Sequence, residues 1–362
     1  MGATGSARPA ERDRGGAQGL PLATNPVGNM VVGKHNGSIV AGVSLVALIA
    51  GGFERAEAQS LVRPIPRAEP LSGPLGPVAG FRELAGLEAA PVEEWITEAR
   101  LFGEARPSGE LEGLDSAVET QRMGWSAAVI RQIDERERLT LEGELESSFY
   151  GWSGSAPLVG GSSDPFNDLY RARFAASHLQ PLSERLSVLN GLEFSLNGED
   201  EADLLEGLVV GGSSALGFAA HEQLEIRAGA LVFSRLEDDP LAIPFLGIDW
   251  RPSEALHLSA EGPRVHLDLA LSERLSLRFE SLYAQRQYRL NDTGGAAPVF
   301  RDEAIDLKGE LHFAANQHAR LVLSAGLAAW REFTFLSDGG EKLLEAEQSK
   351  EPFVGLALHL SF

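Results

Sequence analysis

The chain has 362 residues, with 31 basic and 52 acidic side chains, a net charge of −21 and no cysteine. Its length allows one large domain or two of ordinary size. The acidity opposes contact with a phosphate backbone, so nucleic acid is not an expected partner. The missing thiols exclude disulfides, thiolate metal sites and cysteine nucleophiles.

The first element in chain order is a leader. Residues 39–50 read IVAGVSLVALIA, a run of twelve that matches a secretory core and is too short for an ordinary spanning helix. Lys34 and His35 precede it, and the small-x-small triplet Ala56 to Ala58 follows. Residues 1–58 are therefore predicted to be a signal peptide with an N-terminal extension, Met30 being an alternative start. This segment holds five basic and four acidic residues, so the acidity belongs to the remainder. Residues 59–94 are rich in Pro, Gly and Ala, which cannot sustain a long helix or an inner strand. They read as a linker or a plug on the periplasmic side.

From Trp95 onward the period is two. In RLTLEGELESSFY, Leu139, Leu141, Leu145 and Phe149 share one face, while Thr140, Glu142, Glu144, Glu146 and Ser148 share the other. An amphipathic helix would repeat at three and four residues instead. EAIDLKGELHF sets Ile305, Leu307, Leu311 and Phe313 against Asp306, Lys308, Glu310 and His312. Polar tight turns open strands at Leu139, Leu186, Leu224, Leu256, Leu275 and Leu321. The opposite connections are longer and polar: 151–168, 198–203, 291–302 and 337–351. Short turns at one end and long loops at the other mark an outer-membrane barrel. The fold class is thus all-β: a closed antiparallel transmembrane barrel over residues 95–362, of about fourteen strands (about 12–16).

The chain closes on FVGLALHLSF. Val354, Leu356, Leu358, Leu360 and Phe362 form an apolar row suited to lipid. An aromatic carboxyl terminus after such a row resembles the signal that outer-membrane barrels present to their assembly machinery. A second resemblance rests on PFLGIDWRPSEALHLSAEGPRV, with Pro244, Gly247, Trp250, Pro252 and Pro263. This stretch is similar to a bacterial family of outer-membrane β-barrel domains of unassigned function. The resemblance implies a barrel in a Gram-negative-type outer membrane and carries no catalytic residue.

The chemistry sought in the sequence is sparse. No G-x-S-x-G elbow, H-E-x-x-H or P-loop occurs, and no enzyme is expected. His359 and Ser361 fall on the inward face and read as polar lining. The inward set Glu142, Glu144, Glu146, Arg264, Arg278, Lys308 and Glu310 is the candidate pore lining or ligand surface. Carboxylate rows favour cation passage, whereas ion pairs with Arg227, Arg264, Arg278 or Lys308 would fill a narrow barrel. His257, His266 and His312 read as lining, and neither a metal nor a cofactor is expected. Trp125, Trp152, Trp250, Tyr170, Tyr288 and Trp330 are expected in interfacial girdles. The functional expectation is a narrow channel or a binding or structural barrel, with outer-membrane lipid, assembly machinery and a small solute or ion as partners. An exported soluble β-sandwich that binds a ligand, or a barrel enzyme acting on lipid, are the alternatives.

Overall fold

The computed structural model describes residues 94–362 except 135, 157, 159–161, 167, 201, 204 and 292–297. The expected signal peptide and nearly all of the Pro-rich segment lie outside the described residues. Fifteen strands follow in order. They begin with β1 (Glu94–Glu110), β2 (Ser116–Gln132), β3 (Arg138–Gly154), β4 (Asp168–Pro181) and β5 (Leu186–Glu199). Then come β6 (Leu208–His221), β7 (Leu224–Arg235), β8 (Asp238–Ser253), β9 (Leu256–Glu261) and β10 (Arg264–Ala270). The last are β11 (Leu275–Arg289), β12 (Val299–Ala314), β13 (Ala319–Leu336), β14 (Lys342–Gln348) and β15 (Glu351–Ser361).

Sequential neighbours pair antiparallel from β1 through β13. The ring then closes between the first and last strands, from Glu98 opposite Ser361 to Ala105 opposite Val354. Strand β13 holds β15 along its lower part and β14 along its upper part. Since β14 and β15 lie end to end along one neighbour, the ring has fourteen positions. Closure excludes the two-sheet sandwich. It also satisfies the rule that a sheet in hydrocarbon keeps no free edge, where each unpaired backbone group costs several kcal/mol. The expected loop 337–351 is shorter than the sequence suggests, because Lys342–Gln348 within it forms β14.

Alternation sorts the side chains as lipid requires. Along β3, Leu141 and Leu145 are exposed while Glu142, Glu144 and Glu146 are buried. Along β12, Ile305, Leu307, Leu311 and Phe313 are exposed, and Asp306, Glu310 and His312 are buried. Charge inside and leucine outside inverts the order of a water-soluble protein.

Two departures shape the interior. In β13 the register skips Ala329: Asp306 faces Ala328 and Ile305 faces Trp330. This β-bulge exchanges the faces of the residues beyond it, so Arg331, Phe333 and Phe335 turn inward. In β9 and β10 the strands have only 6 and 7 residues, fewer than the roughly 9–11 that a tilted spanning strand needs. Strand β9 meets β8 only from Ile248 to Ser253. Pro240 and Pro244 lie on the stretch of β8 beyond that contact, where a missing N–H costs no ladder bond. Above the short hairpin, the β7–β8 tip reaches the tops of β11 to β13. Leu236 packs with Val299 and Leu336, its N–H donates to Gln287 Oε1 at 2.8 Å, and Asp238 pairs with Arg301 at 3.0 Å.

Candidate functional site

The interior divides into an aromatic layer toward the long loops and a charged layer beneath it. The aromatic layer gathers Tyr150, Phe166, Tyr288, Phe300, Phe333 and Phe335, all buried, with Trp152 packed against them. Phe166 comes from the β3–β4 loop and lies 4.6 Å from Phe300, centroid to centroid. Tyr150 meets Phe300 edge to face at 5.3 Å. These rings come from four strands and one loop, so they tie opposite walls together. Two aromatics expected in an interfacial girdle, Trp152 and Tyr288, belong to this inner layer instead. Strand β3 runs well past the apolar belt and brings Trp152 onto the inner face, while Tyr288 alternates inward near the top of β11. Trp125, Tyr170 and Trp250 are exposed on the outside.

The charged layer centres on Asp302 of β12. Its carboxylate accepts from Arg331 Nε at 3.0 Å and Nη2 at 2.9 Å, from Arg122 Nη2 at 2.5 Å, and from the Tyr150 hydroxyl at 2.7 Å. Arg331 also donates to Thr120 at 2.9 Å, Gln348 at 3.0 Å and Glu351 at 3.2 Å. Arg106 grips Asp306 with two bonds, of 3.0 and 2.7 Å. Such forked, charge-assisted pairs offset the cost of removing each ion from water.

The three glutamates of β3 do not meet the cations expected from sequence. Glu142 accepts from Arg173 at 2.6 Å, Glu144 from Arg171 at 3.2 Å, and Glu146 from Arg286 across the interior at 2.9 Å. Arg171 and Arg173 alternate on β4, the adjoining strand, opposite Glu146 and Glu144. That register places both arginines directly across the ladder from the glutamates. The alternation in DLYRARF was the signal for this pairing. The other expected residues form nearby pairs: Arg264 with Glu280 at 3.5 Å, Arg278 with Asp268 at 2.7 Å, and Lys308 with both Glu280 and Glu310 at 2.9 Å. Arg227 pairs with Glu261 at 3.1 Å.

Between these groups lies a small cavity of about 70 Å³, lined by Arg100, Glu104, Arg106, Arg286, Lys308 and others. A second space, about 60 Å³, lies between β5 to β7 and β11, with Glu193, Ser195, Gln285 and Gln287 in its wall. A separate knot of Asp249, His257, His266 and Asp268 sits on the short strands, where one donor atom from each of the last three lies within 4.8 Å of the others. His312 stands apart from it, bonded to Glu310 at 2.9 Å. The apolar row Val354, Leu356, Leu358, Leu360 and Phe362 lies on the outer face of the closing strand, while Phe353, Ala357 and His359 are buried on the inner one.

No curated protein sequence matches the chain. Among solved structures it is similar to a TodX monoaromatic hydrocarbon channel carrying the deltaS2S3 change. The identity is 9%, over 75% of this chain and 91% of that one, with a TM-score of 0.42. It is also similar to the COG4313 outer membrane channel from Pseudomonas putida F1, at 13% identity over 76% of this chain and 97% of that one, TM-score 0.40. A KdgM porin in complex with disordered oligogalacturonate is 7% identical over 73% of this chain and 99% of that one, TM-score 0.30. The fold itself stands on the strand register described above. Residues 164–361, more than half of the sequence, match the family described as Domain of unknown function (DUF6268), and the chain belongs to that family.

Proposed function

We propose that the protein is an integral barrel of a Gram-negative-type outer membrane whose interior is a narrow path for small ions or polar solutes. The observation that carries this reading is the small central cavity, about 70 Å³, lined by charges of both signs and lying beneath the aromatic layer. Ions and polar solutes can exchange hydration for such a lining. Each carboxylate of β3 is already held by an arginine, so the path should discriminate weakly between cations and anions. The aromatic layer is the constriction. On this reading residues 1–58 act as the export leader and residues 59–94 as a lead-in or plug. Val354, Leu356, Leu358, Leu360 and Phe362 present the closing strand to the assembly machinery. The reading includes no chemical reaction.

The test is conductance of the purified chain in a planar bilayer. The parent protein should give small steps, and the double change Tyr150→Ala with Phe300→Ala should enlarge them. A silent bilayer for both proteins would refute the path. The membrane reading is checked separately: extraction by carbonate without detergent would refute an integral barrel.

A further inference from the structure

Strands β8 to β10 bring four titratable groups onto one inner face. Asp249 comes from β8, His257 from β9, and His266 and Asp268 from β10. The register sets His257 opposite Asp268, and the two imidazoles meet edge to face with centroids 5.6 Å apart. His257 Nδ1 lies 3.5 Å from Asp268 Oδ2, and His266 Nε2 lies 3.6 Å from the same oxygen. Tetrahedral zinc bonds of about 2.0–2.2 Å place neighbouring donor atoms about 3.3–3.6 Å apart. Two of the three edges therefore already have the required length, and the three residues as a set place one donor atom each within 4.8 Å of the others.

The surroundings are those that orient metal-binding groups. His257 Nε2 is 3.1 Å from Asp249 Oδ2. With Nδ1 given to a metal, the Nε2–H donates to that carboxylate, which fixes the tautomer and ring angle. Arg278 holds Asp268 by bonds of 2.7 Å to Oδ1 and 2.9 Å to Oδ2. Each carboxylate oxygen has two lone-pair sites, so Oδ2 keeps one for the ion.

Charge selects the kind of ion. Arg278 and Arg251, the latter 3.3 Å from Asp249, balance the two carboxylates. Calcium and magnesium take all-oxygen ligand sets, while two imidazoles suit zinc and its neighbours in the transition series. We infer that His257, His266 and Asp268 form a site for a zinc-like divalent ion, with its fourth position toward the interior. The ion would pin β9 to β10, two of the shortest strands, and its binding energy would add to the stability of the fold.

The test uses the full chain folded in detergent, freed of metal by a chelator, and titrated with Zn²⁺, with Co²⁺ as a spectroscopic probe. The parent should bind one ion saturably, show the visible cobalt band of a tetrahedral site, and unfold at a higher temperature with Zn²⁺ present. Asp249→Asn should weaken binding about tenfold, since it removes only the partner that orients a ligand. His266→Ala should lose one-to-one binding, whereas His312→Ala, in a different cluster, should keep it. Heat-dependent gel mobility reports whether each variant has folded; if His266→Ala does not fold, His266→Gln supplies the comparison. Absence of saturable binding by the parent would overturn the site, as would undiminished binding by a folded His266 variant.

Discussion

The wall built from β1 to β3 and β11 to β13 and the wall built from β8 to β10 enclose the same polar interior by different means. The first uses strands of 15–18 residues, and its charges are braced across the interior. Asp302 alone joins β12 to Arg122, Tyr150 and Arg331 on three other strands. The second uses strands as short as 6 and 7 residues and pairs its charges locally, as Asp268 of β10 does with Arg278 on the adjoining strand. A charge braced across the interior depends on several registers at once, whereas a charge paired with its neighbour depends on one. Rigidity should therefore concentrate in the long wall and adaptability in the short one.

The sharpest way to break this contrast is Asp302→Ala. It leaves Arg122 and Arg331 buried beside a missing partner and should cost about 3–5 kcal/mol, read from denaturant unfolding in detergent. Arg278→Gln should cost less, about 1–3 kcal/mol, because the imidazoles of the short wall remain to serve Asp268. Equal losses would erase the distinction. Between those two in size is a property that the walls share. Phe279 and Leu267 face each other in the β10–β11 register, and both alternate outward. Arginine at either position should cost about 2–4 kcal/mol if the residue sits near the middle of the bilayer. Tolerance of Leu267→Arg alone would mean that the short wall does not meet lipid.

A smaller effect belongs to the seam of the long wall. A Cβ on Gly326 would lie 2.4 Å from Phe353 Cζ and 2.6 Å from the Leu307 carbonyl oxygen. Gly326→Val should cost about 1–3 kcal/mol through overpacking. Gly143, where a Cβ meets nothing within 4 Å, is the control. The smallest change is expected beyond both walls: Lys342→Ala removes an exposed pair with Glu345 on β14 and should shift stability by no more than about 1 kcal/mol.

Much of the ring was legible because period-two alternation and polar turns are local signals. The leucine rows, the inward carboxylates of β3 and the fourteen-position ring all follow from them. What stayed hidden depends on geometry that no local window contains. Arg331 shares its parity with Leu321 and Leu323, which face outward, and only the bulge at Ala329 turns it in. The partners of Glu142 and Glu144 required the register of β4 against β3. Trp152 and Tyr288 look like interfacial aromatics until Phe166 is seen to return from a loop and pack with them. His257 and His266 are nine positions apart in sequence, and their convergence depends on the register of the β9–β10 hairpin.

The fastening of β1 to β15 has a kinetic side. These partners stand at opposite ends of the described polypeptide, so every hydrogen bond between them closes a very long loop, and such contacts form late and slowly. Until they form, two unsatisfied sheet edges are exposed at once, each a template for pairing with a stranger. Spontaneous refolding of this chain should therefore compete with aggregation, and a catalyst that holds both edges until they meet would speed maturation without altering the finished protein.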